Sequence, residues 1–453
     1  MKTKIGCVIS GLMLCLLFSS VNAQIITQII DGSGDGAGNG LLTPQSLAVD
    51  DNGNVFVGGL GDNFFKITPN GVISEFWDST DAGNENAIRG NFFLLAGNAG
   101  SLYVAAVNSS NVIKIEADGT YTELIDGDGD GLGNRLLFAS SIAVLADGTA
   151  YVSGFLSHNV FRIGVDGTIN EVLDFAGDGT GNNFFNNAHA IVADELGNVY
   201  VSAQGTNNAF KIAADGTVTE IINSSGDGEG NILESATGIA VDAVGNVYVA
   251  GGNSNNVFRI APDGTITQII DSTGDGRGNI LIAILDIAVD ANSNVYVLGN
   301  ASQNVFKITP EGTVTEIIDS SGDGEAGSLI SPQKVRVDSL DNVFVVATLS
   351  NNVFKIGLSA ATYDAGVLTV PVMALGDSYY QLELNISNEQ PIEFQLASST
   401  AISNPNTVSM SRFAGDTLTI PQLVAGSLRY RLQLRLTNSD PVTLRLSSVE
   451  ELQ

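Results

Sequence analysis

The sequence predicts an all-β chain whose larger part is a seven-bladed β-propeller closed by an N-terminal strand in the last blade, followed by a small C-terminal β-sandwich-like domain. Three observations carry this. An apolar tetrad of the type VFKI ends at Ile67, Ile115, Ile163, Ile212, Ile260, Ile308 and Ile356, always 48 or 49 residues apart. Around each tetrad, short runs rich in β-branched and aromatic residues alternate with Gly, Asn and Asp, which is strand and turn chemistry rather than helix. The folded chain also begins with the tail of a repeat: IITQIIDGSGDGAGN at 25–39 returns as ITQIIDSTGDGRGN at 266–279, where a strand and a turn precede it.

Each element follows from its residues. In the fifth unit the four runs are GIAVD (238–242), NVYVAG (246–251), NVFRI (256–260) and TITQII (265–270). Turns such as PDGT and AVGN join them, with Gly supplying the positive φ that a tight antiparallel connection needs. Four-stranded meanders at this period suit propeller blades. Along the chain there is a lone fourth strand (25–30), then six complete units, then a unit that stops after its third strand at Ile356. The strand numbers balance only if the N-terminal strand completes the last blade. Such closure removes exposed sheet edges, whereas a linear array would end in polar caps.

The unit at 238–270, GIAVDAVGNVYVAGGNSNNVFRIAPDGTITQII, resembles the NHL repeat of bacterial secreted propellers, whose line runs GIAVD..GNVYVAD..N.RI...G. The resemblance covers 24–356 and implies the architecture. For activity it implies no single class, because NHL-like propellers include binding scaffolds, lyases and lactonase-like enzymes. Trp77, the only Trp, lies on a fourth strand, so the tryptophan-bearing blade motif of streptogramin lyases is absent.

Residues 1–23 read as a secretory signal peptide, with Lys2 and Lys4 before an apolar core and Val21-Asn22-Ala23 as the cleavage site. A mature chain starting at Gln24 is expected to be secreted, periplasmic or on the cell surface. Cys7 and Cys15 both fall in this peptide, which leaves the mature chain without disulfides. No other apolar run reaches the length of a bilayer span, so no membrane insertion is expected. Dropping Lys2 and Lys4 leaves 17 basic residues against 49 acidic, a formal charge of −32, which argues against nucleic acid or anionic lipid as partner. The expected domains are the propeller at 24–357 and the C-terminal β domain at 358–453. In the latter, GVLTVP (366–371), YQLELNI (380–386) and PIEFQL (391–396) are answered at an offset of 50 by DTLTIP, YRLQLRL and PVTLRL.

Two sets of residues are candidates for function. Loops of the form D-x-x-G-D-G-x-G-N follow the fourth strands and pair Asp31 with Asp35, Asp126 with Asp130, Asp174 with Asp178, Asp271 with Asp275, and Asp319 with Asp323. Two imperfect copies pair Asp78 with Asp81 and Asn223 with Asp227, and Asp128 adds a carboxylate to the third loop. An up-and-down meander puts all of these on one face with the loops joining second to third strands. They are candidate ligands for Ca²⁺, a hard cation that takes several oxygens; the other reading is that Asp accepts N–H bonds within tight turns. No other cofactor is indicated. The run DGDGDG at 126–131 starts like an EF-hand loop but has Leu137 where a bidentate Glu is required.

The second set lines the mouth of the central channel at the start of the first strands. Gln45, Phe92, Ser140, His189, Thr237, Leu285 and Gln333 are equivalent positions, followed by Ser46, Phe93, Ser141, Ala190, Gly238, Asp286 and Lys334. His189, Asp286, Lys334 and Arg336 depart from the repeat, Arg336 replacing a small residue of the Ala240 type. With Gln45 they form a candidate site for an anionic or sugar-like ligand, the alternative being drift at a wet channel mouth. His158 reads as a solvent-exposed loop residue.

Three functions stand open. The first is a non-catalytic binding scaffold, a monomer with a protein or carbohydrate partner, because no Ser/His/Asp set or Cys nucleophile is present and the chain has only two His. The second is a lyase or lactonase-like enzyme with one divalent metal at the channel mouth. The third is a structural or matrix protein that gathers Ca²⁺.

Overall fold

A computed structural model of the chain describes residues 22–360 apart from 61–62, 79–87, 89–91, 97–100, 182–184 and 325–326, together with strand segments between 362 and 446. Residues 1–21 of the expected signal peptide and Asp81 lie outside the described residues, and of Phe92 and Phe93 only the strand is described. Among the described residues the structure is all β-strand and turn, and no helix is long and apolar enough to cross a membrane.

The chain divides into two compact units, 28–355 and the remainder. The first is a seven-bladed β-propeller. Its fifth blade is typical: Ala236–Val241, Val247–Gly251, Asn256–Ile260 and Ile266–Ile270 pair antiparallel in that order. The innermost strands are Pro44–Val49, Phe92–Ala96, Ala139–Val144, Ala188–Ala193, Ala236–Val241, Ile284–Val289 and Pro332–Val337, and each neighbours the next around the axis, the last touching the first.

Burial explains the sequence pattern strand by strand. Second strands such as Val295–Gly299 are buried throughout, because both faces of the sheet pack against neighbouring blades, which is why they read as continuous apolar runs. Fourth strands such as Ile266–Ile270 are half exposed at the outer edge. The core is the space between blades: Tyr248, Val257 and Ile270 of one blade pack with Leu281, Ile287, Val297 and Phe306 of the next. On each third strand a Lys or Arg stands beside the aromatic residue of the second, as Lys307 over Tyr296 and Lys355 over Phe344. Most basic residues of the ring are therefore structural.

The seventh sheet has the order Pro332–Val337, Val343–Ala347, Asn352–Ala360 and then Asn22–Ile30, so the N-terminal strand closes the ring. One hydrogen bond marks the equivalence. In each blade the Asn that opens the third strand donates from Nδ2 to an acidic or amide side chain on the fourth: Asn159 to Glu171 at 2.9 Å, Asn256 to Gln268 at 3.0 Å, Asn304 to Glu316 at 2.9 Å. In the last blade Asn352 donates to Oε1 of Gln28 at 3.0 Å, across nearly the whole sequence. Ile30 then joins Leu41, Leu47 and Phe65 with Phe344, Val346 and Val353 in the same cluster as any interior seam.

In the second unit the duplicated segments pair with each other. Ser378–Ile386 runs antiparallel to Leu428–Leu436, and Val367–Val370 lies beside Val442–Leu446 while Ile392–Leu396 lies beside Thr417–Ile420. The first strand of each copy thus pairs with the third of the other.

Ile30 is 3% exposed, so Ile30→Ala should destabilise the protein by about 2–5 kcal/mol in urea unfolding, close to the cost of Ile270→Ala in an interior blade. A loss under about 0.5 kcal/mol, typical of a surface site, would show that the N-terminal strand does not close the ring.

Candidate functional site at the loop face and channel mouth

The loops after the fourth strands are built by their aspartates. The first Asp of the motif accepts the N–H two residues on: Asp31 from Ser33 at 2.8 Å, Asp126 from Asp128 at 2.9 Å, Asp174 from Ala176, Asp271 from Thr273 and Asp319 from Ser321, each at 2.8 Å. The second Asp does this again and also clasps the terminal Asn. Asp130 accepts from the Leu132 N–H at 2.9 Å and Asn134 Nδ2 at 2.7 Å, and Asp35, Asp227 and Asp275 repeat the arrangement with Asn39, Asn231 and Asn279. Asp178 accepts from the N–H and hydroxyl of Thr180, the terminal Asn182 of its loop lying outside the described residues; Asp323 accepts from the Gly327 N–H at 3.1 Å.

The glycine between the two aspartates is required on two counts. Gly274 has φ +63°, and a Cβ there would collide with the Asn279 carbonyl. Loop N–H groups hold the Asp35 and Asp130 carboxyls below the ordinary Asp value, and the Asn231 amide does most to lower that of Asp227. Among the described residues no three His, Cys, Asp or Glu side chains gather in a metal-binding group.

The loops between second and third strands share this face, as expected. The Gly252 and Asn253 N–H groups donate to the Ser235 and Glu234 carbonyls of the preceding loop. Here the structure corrects the reading of His158. It is half-buried, and its Nδ1 accepts the Asn187 N–H at 3.1 Å from the next blade. Asn207, Asn255 and Asn351 hold Ser235, Ala283 and Thr43 in the same way, so His158 stands in for a blade-to-blade latch. The signal was present in the repeat, where the position is otherwise Asn, Asp, Ser or Gln.

The innermost strands start at this face. Six of them carry a register shift near their start, as between Ala188 and Ile191 or Ile284 and Asp286. Such bulges re-aim side chains at a strand end. Ser140 donates to the Ala188 carbonyl at 2.7 Å and Thr237 to the Ile284 carbonyl at 2.9 Å, each reaching into the next blade. His189 occupies the equivalent position and does the same: its Nδ1 lies 2.7 Å from the Thr237 carbonyl, which assigns the proton of the neutral ring to Nδ1.

Asp286, Lys334 and Arg336 come together at adjacent blades. Buried Asp286 accepts from Arg336 NH1 at 2.7 Å and the Val335 N–H at 3.0 Å, with Lys334 Nζ at 3.5 Å. Desolvation opposes the charge on Asp286, but the two cations and the amide outweigh it and hold the carboxyl below its ordinary value. Burial pushes Lys334 down. Gln45 sits half-buried on the first blade's innermost strand, with no hydrogen bond to the cluster among the described residues. His189 is enclosed by the ring and lies under the influence of Lys334 and Asp286; burial, then the Lys334 charge, lowers it from 6.5 to about 4.

A sequence family described as a beta-propeller repeat matches residues 24–65. The matched stretch is a propeller repeat. No curated protein matches the chain. Among solved structures, the propeller is similar to a streptogramin B lyase (15% identity, TM-score 0.57, covering 74% of this chain and 98% of that one). It is similar also to virginiamycin B lyase from Staphylococcus aureus (14%, 0.57, 74% and 100%), and to the extracellular domain of a hybrid two-component system from B. thetaiotaomicron (9%, 0.51, 74% and 44%). At these identities the likeness is one of fold.

The unfolded chain binds a proton at a His near pH 6.5, whereas folded His189 resists protonation until about 4. Stability should therefore fall as the pH drops through that window, by at most about 3 kcal/mol. Thermal melts of His189→Asn should be flatter than wild type over the same range; parallel curves would mean that His189 titrates normally in the folded protein.

Proposed function

We propose that the mature chain is an extracellular, non-catalytic binding scaffold whose contact surface is the loop face of the propeller. The observation that carries this is the combination found there. Asp-clasped turns hold each described loop in the same conformation, and between them Leu60, Leu132, Leu156, Phe175, Ile232 and Leu349 stand exposed beside the carboxylates. A preorganised surface of this kind loses little entropy on binding. Apolar groups among acids suit a basic protein partner. Trp77 is only 4% exposed and so offers no platform for stacking on a sugar. The secretory leader read at 1–23 and the likeness to an extracellular domain support a location outside the cytoplasm.

A lyase or lactonase-like reaction with a divalent ion would draw on His189 and Asp286. Those groups are engaged, the one with the Thr237 carbonyl and the other with two cations and an amide. In the ring-forming loops we read the aspartates as turn-formers rather than as Ca²⁺ ligands.

Immobilised mature protein should retain a partner from the extracellular fraction of its source. Leu132→Asp with Leu156→Asp should abolish retention, while Leu196→Asp on the opposite face should not. Equal retention by all variants would remove the loop face from consideration. In parallel, Ca²⁺ added after chelation should leave the melting temperature unchanged. A rise that Asp130→Asn, Asp178→Asn and Asp275→Asn each weaken would make the ring an ion-gathering one.

A further inference from the structure

The loops that follow the fourth strands share one design, and one of them breaks it. The residue after the first Asp or Asn of the motif is Gly32, Gly127, Ser224, Ser272 or Ser320 in the other described loops, but Phe175 after the third blade. The turn itself needs no large side chain there, because Asp174 and Asp178 bond the Ala176 and Thr180 N–H groups as their counterparts do elsewhere. Phe175 remains 49% exposed. Aromatic residues that the fold does not use are enriched at contact surfaces.

A second departure stands beside it. The His158 ring lies 6.1 Å from that of Phe175, inclined by 54°, and is held in place by the Asn187 N–H on its Nδ1. Two further one-off aromatics belong to the same blade: Phe138, where other blades have Thr43, Asn187, Ser235, Ala283 and Ser331, and Phe155, whose N–H donates to the Phe138 carbonyl at 2.9 Å. Leu156, between Phe155 and His158, is 47% exposed.

The charge at this corner is negative. Asn159, next to His158, donates to Oε1 of Glu171 at 2.9 Å, which brings that carboxylate beside the ring pair. Burial pushes the Glu171 carboxyl up, and the charges of Asp174 and Asp130 push the same way against the Asn159 bond. Among the described residues, Oε2 of Glu171 and Oδ2 of Asp174 accept no hydrogen bond, and Arg135 turns its Nε to the Gly127 carbonyl at 3.3 Å. Acids alone do not distinguish this blade, since Glu123, Glu220 and Glu316 stand in the place of Glu171 elsewhere. The ring pair does.

We propose that Phe175 and His158, with the carboxylates of Glu171, Asp174 and Asp130 around them, receive an arginine side chain of a protein partner. A planar guanidinium stacks on an aromatic ring and directs its N–H fork at carboxylate oxygens, whereas a lysine ammonium is more strongly hydrated and has no fork. The inference rests on the reading of the loop face as a contact surface, and it names the chemistry of one point on that face.

The test is titration of the mature protein, at low ionic strength, with a capped tripeptide that carries arginine between two glycines, and with its citrulline counterpart, which has the same shape and no charge. Imidazole NMR reads the site directly. The chain has two His, so His158 reports on the corner and His189 is the internal control. The arginine peptide should move the His158 resonance saturably, approaching a plateau by about 20 mM, and leave His189 unmoved. Phe175→Ser and Glu171→Gln both install residues that other blades carry, Ser272 and Gln268 among them, so the melting transition should be kept. Each should weaken binding about two- to fivefold. The proposal is overturned if the peptide leaves His158 unmoved, if citrulline binds as well as arginine, or if Phe175→Ser binds like wild type. Retention of a partner that Leu132→Asp with Leu156→Asp abolishes, without binding of the arginine peptide, would sink the arginine site and leave the loop-face reading standing.

Discussion

The ring depends on the pairing of its last sheet with a strand from the other end of the sequence. Seven twisted sheets around an axis bury both faces of every blade only if there is no first and no last. The bond from Asn352 to Gln28 and the packing of Ile30 against Leu41 and Phe344 make the seventh seam chemically the same as the others. Without them, blades one and seven would each present an apolar face to water, and blade seven an unpaired edge. The fully buried second strands are possible because of this closure.

Within the closed ring, residues sort by how often they recur. The Asp and Gly of the outer loops, the cations over second-strand aromatics and the Asn of the third strands recur because each solves a problem that every blade shares. The residues at the channel mouth do not recur. Ser140, His189 and Thr237 make the same inter-blade bond with three different chemistries, so that position tolerates variety as long as a donor remains. Asp286 accepts the Val335 N–H of the next blade as Ser141 accepts that of Ile191, whereas the cations Lys334 and Arg336 have no counterpart on the other described innermost strands.

Much of this was legible in the sequence. The period of the VFKI tetrad and the stray opening strand were enough for the blade number and the closure, because strand chemistry repeats with the geometry. The departures at His189, Asp286, Lys334 and Arg336 were visible by aligning units. Their pairing was not, because a contact between residues 286 and 336 arises from the rotation of one blade against the next, which no linear spacing encodes. His158 was misread for the same reason. Its partner, the Asn187 N–H, is in the following blade, and an isolated loop gives no hint that an imidazole is replacing an amide. For the aspartates the sequence offered a turn role and, second to it, calcium; what it did not give was which loop N–H groups their oxygens accept from.

The latch that His158 shares with Asn207, Asn255 and Asn351 bears on how such a ring comes apart. Asn187, Ser235, Ala283 and Thr43 all take left-handed φ values between 42° and 59°, a conformation that costs a non-glycine residue roughly 1–2 kcal/mol. In each case the N–H that stabilises it is satisfied by a side chain from the blade before. A blade separated from its predecessor would keep the strain and lose the bond that offsets it. The blades are therefore not independent modules strung in a circle, and fraying at one seam weakens the next, favouring all-or-none melting over blade-by-blade loss.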